Sequence, residues 1–174
     1  MTITYQLHTA DLVAAAKYTA INTPSVKRQI TITPLLTSIV AGAIIIYLGY
    51  FGWGRLRVEE LIFAVISAIF AYIFARFLAM SSFVSRFTKI ASDGKPNFAR
   101  SITMSLEEAG ISSTSELGTG TIFWSTIQKI DEDNRYIYVV LPSANIAVIP
   151  KSAFPDLNQA KTFINNLRSH IKHS

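Results

Sequence analysis

The 174-residue chain is 50% hydrophobic, carries a formal charge of +5 and has a positive mean hydropathy. It has room for two apolar segments and one small domain. With no cysteine, disulfides, thiolate nucleophiles, cysteine metal sites and acylated-cysteine anchors are excluded.

The N-terminal residues Thr2-Ile3-Thr4-Tyr5-Gln6-Leu7-His8 alternate between apolar and polar, the pattern of a half-buried strand. No basic stretch precedes an apolar core there, so a cleaved signal peptide is not expected. A single strand does not stand alone, so residues 2–8 must pair with a later segment. Thr9 or Asp11 caps a predicted helix over 12–21, with Leu12, Val13, Ala16 and Tyr18 turned to the domain or to a membrane surface. Pro24 and Ser25 break that helix. A second begins at Ser25 and runs into the first apolar run, with Pro34 as a kink.

Two apolar runs follow, 35–53 and 61–80, joined by Gly54-Arg55-Leu56-Arg57-Val58-Glu59-Glu60. At a rise of about 1.5 Å per residue, each crosses a hydrocarbon core of roughly 30 Å. The stretch 34–84 is therefore expected to form a transmembrane helical hairpin. Ala64, Ala68, Ala71 and Ala75 place small side chains on one face of the second helix, and Ser38, Gly42 and Gly49 do so on the first. Such faces let helix backbones approach closely in lipid. Tyr47, Tyr50, Phe51 and Trp53 mark the far headgroup level. Lys17, Lys27 and Arg28 precede the spans and Arg86, Lys89, Lys95 and Arg100 follow them, against Arg55 and Arg57 in the connector. This balance predicts a multi-pass protein with both termini in the cytoplasm. Arg76 is the one charge inside a span. It is placed about one turn from the cytoplasmic end of its helix, and snorkelling is favoured over an ion path or a contact with a partner helix.

Past the second run, 81–86 is expected to leave the membrane, and Asp93-Gly94-Lys95-Pro96 reads as a turn. Strand patterns then follow: Ile102, Met104 and Leu106 alternate, and 110–115 and 119–124 are short strands. Residues 128–132 and 135–141 flank a turn at Asp133-Asn134, and 146–149 form a strand that Pro150 stops. Asp156 caps a final helix, with Gln159 completing a capping box and Leu157, Ala160, Ile164, Leu167 and Ile171 in an apolar stripe. The expected fold is α+β. A small antiparallel bent sheet or barrel is plugged by the C-terminal helix and completed by strand 2–8, with the hairpin inserted. The corresponding segments are 1–33, 34–84 and 85–174.

Three groups of residues resemble one family. Trp124-Ser125-Thr126-Ile127-Gln128-Lys129-Ile130, Tyr136-Ile137-Tyr138-Val139 and Ile149-Pro150-Lys151-Ser152-Ala153-Phe154 look like the C-terminal domain of YcxB-like bacterial membrane proteins. The N-terminal strand followed by Asp11 and two spans is similar to the same layout. The resemblance implies a pleckstrin-homology-like (PH-like) barrel facing the cytoplasm at a bacterial inner membrane. It implies no activity, cofactor or binding residue. Members often carry a further basic residue after Pro-Lys, where this chain has Ser152, and this weakens the case for an anionic ligand there.

No catalytic constellation emerges. His8, His170 and His173 have no zinc-ligand spacing, so neither a metal nor another cofactor is expected. Glu107-Glu108 reads as a solvated turn, and Ser112-Ser113-Thr114-Ser115 has no partner to activate a hydroxyl. Thr119-Gly120-Thr121 has too few glycines for a phosphate loop. Trp124, between Ile122 and Ile127, reads as core. Lys151 is the best single candidate for contacting a lipid headgroup or an acidic partner, together with Arg28, Arg86 and Lys89 beside the spans. Nucleic acid is not expected, because the basic residues lie beside the spans and not on a separate face. The expected function is a non-enzymatic membrane-anchored module that docks a protein partner or the inner membrane surface, with a homo-oligomer as a further option. The alternative is a membrane enzyme acting on a lipid or envelope precursor through Glu107, Glu108 or His8. A transporter subunit would rest on Arg76 alone.

Overall fold

In the computed structural model, which describes residues 1–53, 58–94 and 99–172, the alternating N-terminal residues form β1 (Thr2–His8), burying Ile3, Tyr5 and Leu7 on one face. β1 pairs antiparallel with β2 (Ala99–Leu106), from Thr2 opposite Ser105 to His8 opposite Ala99. β3 (Gly110–Ser115) and β4 (Gly118–Phe123) complete a meander in the order β1-β2-β3-β4. A second antiparallel sheet holds β5 (Lys129–Glu132), β6 (Tyr136–Val140) and β7 (Ile146–Pro150) in chain order.

Neither sheet closes into the expected barrel, and among the described residues no backbone ladder joins them. The chain leaves the first sheet through a 3₁₀ turn at Trp124–Thr126 and leaves the second through another at Lys151–Ala153. Between β1 and β7 a side chain stands where a ladder would be: the Tyr5 hydroxyl donates to the Val148 carbonyl at 3.2 Å.

The core of this unit joins β1, Met104, Ile111, Ile137, Val139, Val148 and Ile149 to one face of α4 (Leu157–Lys172). Asp156 caps α4, its carboxylate accepting from the Gln159 N–H at 2.7 Å. Ala160, Ile164 and Leu167 are buried as the stripe predicts, but Leu157 is 66% exposed at the helix start. Phe163, between Ala160 and Leu167 on the helix, is fully buried in its place. Each large side chain so buried contributes about 1.5–3 kcal/mol.

α1 (Thr9–Asn22) begins immediately after β1. Asp11 is not its N-cap. It sits in the first turn and reaches back to accept from the His8 N–H at 2.7 Å, the carboxylate half of a capping box.

The chain divides into two units: Met1–Thr19 with Phe87–Ser174, and Ala20–Arg86. The second unit is built on α2 (Pro24–Trp53) and α3 (Val58–Ala91). Both are long and apolar enough to cross a membrane. They extend the apolar runs at their outer ends. α2 continues through Pro34, and the Thr37 hydroxyl donates to the Pro34 carbonyl at 2.9 Å. α3 does not stop at 81–86 but continues to Ala91. It ends in a Schellman motif, with Asp93 and Gly94 at positive φ and the Gly94 N–H on the Lys89 carbonyl at 2.9 Å. The connector residues 54–57, the Lys95-Pro96 part of the predicted turn and His173 lie outside the described residues.

The small faces of the two helices meet. A Cβ built on Gly42 would stand 3.4 Å from the Ala68 Cβ, and Ser38 and Ala64 are buried on the same faces. Only small side chains permit so close an approach.

Candidate functional site

The sheet unit concentrates its polar chemistry on three consecutive acids, Asp131, Glu132 and Asp133, at the β5–β6 turn. Lys129 reaches Asp131 at 2.8 Å. Glu132 takes Lys151 at 2.8 Å on one oxygen and Arg168 of α4 at 3.3 Å on the other. Asp133 accepts from the backbone N–H groups of Arg135 and Tyr136, each at 2.7 Å, and from the Tyr138 hydroxyl at 2.8 Å. Tyr18 of α1 donates to Asp131 at 2.7 Å and stacks on Tyr138, ring centroids 4.1 Å apart.

These contacts hold all three carboxyls below their usual range. For Asp131 the main cause is the Lys129 hydrogen bond, then that from Tyr18, and for Glu132 it is the Lys151 hydrogen bond. At Asp133 burial pushes upward but is outweighed by the Arg135 N–H, the Tyr138 hydroxyl and the Tyr136 N–H. Tyr18 and Tyr138 are pushed up by burial first and then by their carboxylate partners. Tyr136 is raised by burial and by its hydrogen bond to Asp11. In the sequence Asp133-Asn134 reads only as a turn, and the network itself is not visible there. A run of three acids before a turn, facing Lys129 and Lys151, was its only visible signal.

Lys151 therefore sits in a different setting from the one expected. Its side chain is only 16% exposed, bound to Glu132. It lines a pocket of about 350 Å³ with Asp11, Asn134, Arg135, Tyr136 and Ser152.

The other candidates fall in different units. Lys89 is exposed in the last turn of α3, within the sheet unit. Arg28 and Arg86 belong to the helical unit. Both are exposed, Arg28 on α2 and Arg86 on α3, and Arg86 also lines an open pocket of about 270 Å³ with Gln29, Ile30, Thr33, Ser82 and Phe83. Arg76 donates from Nη1 to the Tyr72 hydroxyl, 3.1 Å away and one turn back on the same helix. It lies well before the end of α3 at Ala91, not one turn from it.

The residues named for an enzyme do not converge. His8 ends β1 opposite Ala99, while Glu107 follows β2 beside the start of β1, where the Leu106 N–H reaches the Met1 carbonyl. At about 3.3 Å per residue the length of β1, roughly 20 Å, separates them. Glu107 accepts from the Ser105 hydroxyl. Trp124 is buried, donating from its indole nitrogen to the carbonyls of Glu107 and Glu108 at 3.2 and 3.1 Å and stacking on His170.

Residues 106–167 match the YcxB family model, described as YcxB-like protein. This stretch is similar to a YcxB-like domain. It takes in β3 to β7, the acids Asp131, Glu132 and Asp133, and α4 as far as Leu167. β1 and the two apolar helices lie outside the match, although the resemblance read from the sequence extended to them. No curated protein and no solved structure matches the chain. Glu132 and Lys151 lie within the matched stretch and Arg168 immediately follows it, and together they tie β5, the turn after β7 and α4 to one another.

Proposed function

We propose that the chain is a non-enzymatic module anchored in a bacterial inner membrane by α2 and α3, with a PH-like sheet unit and both termini in the cytoplasm, and that this unit docks a protein partner. One observation carries the anchoring. β1, before the helices, and β2, after them, form a single seven-pair ladder. Both flanks of the helical pair belong to one folded unit, so any membrane the pair crosses must be crossed twice. A PH-like description is supported by the four-strand and three-strand meanders followed by a C-terminal helix.

Docking is supported by β4. It is an edge strand of sequence Gly-Thr-Gly-Thr-Ile-Phe without a charge or proline, bordered by Leu117 at 73% exposure and Phe123 at 55%. Uncharged edges accept an added strand from a partner, because their backbone groups are open and nothing repels the newcomer. The charged groups of the acidic network, by contrast, are bound to one another.

The absence of native cysteine permits a direct test. Leu117→Cys should resist a membrane-impermeant maleimide in intact spheroplasts and react after permeabilisation, while Leu56→Cys should react in both. Labelling of Leu117→Cys in intact spheroplasts would overturn the orientation. A photo-crosslinker at Leu117, compared with one at the buried Ile137, should capture a distinct protein in native membranes. Capture of this chain alone would replace partner docking by self-association.

A further inference from the structure

We propose that the pocket between α2 and α3 at Arg86 binds the phosphate of an anionic phospholipid. The proposal rests on the reading that these helices cross a membrane.

The pocket lies wholly within the helical unit and is built from two pairs spaced four residues apart. Gln29 and Thr33 come from α2, and Ser82 and Arg86 from α3. Residues at that spacing lie one above the other on a helix face. The four side chains therefore line an open cleft from both walls, each of them exposed, with buried Ile30 at its floor and Ala79 and Phe83 beside them. Their chemistry favours an anion. A guanidinium offers five donors and no acceptor, two hydroxyls and an amide add further donors, and no carboxylate lines the cleft. Among the described residues no ion pair engages Arg86. The only acids in the sequence 20–86 are Glu59 and Glu60. Glu59 lies about 40 Å from Arg86 along α3, at 1.5 Å per residue. Arg86 thus brings a positive charge, with no ion pair among the described residues, to a cleft whose walls carry neutral polar and apolar side chains.

Depth selects a lipid over a soluble phosphate. The apolar run 61–80 spans about 30 Å, and Ser82 and Arg86 follow it within about 9 Å. Helical side chains tilt toward the helix N-terminus, so the Arg86 side chain leans back over Ser82, toward the end of the apolar run. On α2, Thr33 and Gln29 stand just before the run that starts at Leu35. Below the pocket the helix surface is apolar and open at Leu35, Leu36, Phe77 and Leu78, which suits acyl chains. Basic pockets between membrane helices hold anionic headgroups by this combination.

The test uses the full chain in mild detergent, with native mass spectrometry of retained phosphatidylglycerol, phosphatidylcholine or inorganic phosphate. The wild type should retain one phosphatidylglycerol with at least a fivefold preference over phosphatidylcholine. Arg86→Gln should weaken that retention about tenfold. Ser82→Leu, which fills the cleft without changing charge, should weaken it as well, and Arg28→Gln, outside the pocket, by less than twofold. Unchanged helicity and membrane retention identify variants that still fold. Unaltered binding in Arg86→Gln, or an equal loss in Arg28→Gln, would overturn the site. Binding of inorganic phosphate without a phosphatidylglycerol preference would overturn the lipid assignment. Release of the wild-type chain from membranes by carbonate would instead defeat the anchoring reading, a separate result.

Discussion

The Lys151 ammonium stands 2.8 Å from the Glu132 carboxylate, whose other oxygen takes Arg168 at 3.3 Å, so a strand-end lysine that invites a headgroup is committed to the fold. Glu132 is lowered below its ordinary 4.5, and Asp131 and Asp133 below 3.8. A carboxyl depressed on folding contributes stability above its unfolded pKa and loses it as pH falls through the folded value. Denaturant stability of the full chain in detergent should therefore be flat near neutrality and decline below about pH 4.5. Glu132→Gln should make that decline shallower. At pH 7 it should cost about 1 kcal/mol, because the pair is partly open to solvent. An unchanged acid slope would show that the pair does not couple to folding.

Trp124 donates to two carbonyls from inside the core. Trp124→Ala should cost about 3–5 kcal/mol. Trp124→Phe keeps most of the ring and loses the N–H, and should cost about 1–2 kcal/mol, since water replaces the donor at the exposed Glu107-Glu108 turn. Urea unfolding followed by circular dichroism separates the two. Equal losses would mean that the hydrogen bonds, not the packing, fix this corner.

The periodic features were legible in the sequence because each rests on local pattern. The alternation at Ile3, Tyr5 and Leu7, the Asp156 cap and the small faces at Gly42 and Ala64 all appear as read. What was not legible depends on distant partners. The two sheets part at the 3₁₀ turn Trp124–Thr126 between β4 and β5, whose sequence Trp-Ser-Thr carries no glycine or proline to announce it. Phe163 lies off the apolar stripe that starts at Leu157, and the core reaches it while leaving Leu157, in the first turn, exposed. The state of Lys151 hinges on Glu132, nineteen residues away in sequence. The pocket at Arg86 needs α2 and α3 side by side before Gln29 and Ser82 become neighbours.

Gly110 opens β3 where no larger residue fits. A Cβ there would lie 2.8 Å from the Ile122 carbonyl carbon and 2.9 Å from the Phe123 Cα, and closer still to the Ile122 oxygen. These are backbone atoms of the paired strand β4, which cannot step aside as a side chain would. Gly110→Ala should cost about 1–3 kcal/mol through overpacking. Gly120→Ala, whose Cβ would meet only the Ser113 hydroxyl at 3.8 Å, should cost less. Thermal unfolding of the two variants side by side decides this, and equal midpoints would contradict the strand register.

The close approach of Gly42 to Ala68 gives the helical pair a covalent ruler. The 3.4 Å expected between their Cβ atoms sits at the lower edge of the 3.5–4.5 Å that a disulfide requires, a gap that a slight helix shift closes. Because the chain has no cysteine of its own, the double variant Gly42→Cys/Ala68→Cys reports on this contact alone. Mild oxidation in native membranes should produce an intramolecular bridge, read as a faster-migrating monomer on a non-reducing gel. The pair Leu36→Cys/Phe74→Cys, on exposed faces, should not bridge. Gly42→Leu, introduced beside a Ser38→Cys/Ala71→Cys pair, should reduce bridging there, because a leucine at the contact forces the backbones apart. Bridged dimers from the Gly42→Cys/Ala68→Cys variant, without bridged monomer, would mean that the small faces meet between chains and not within one.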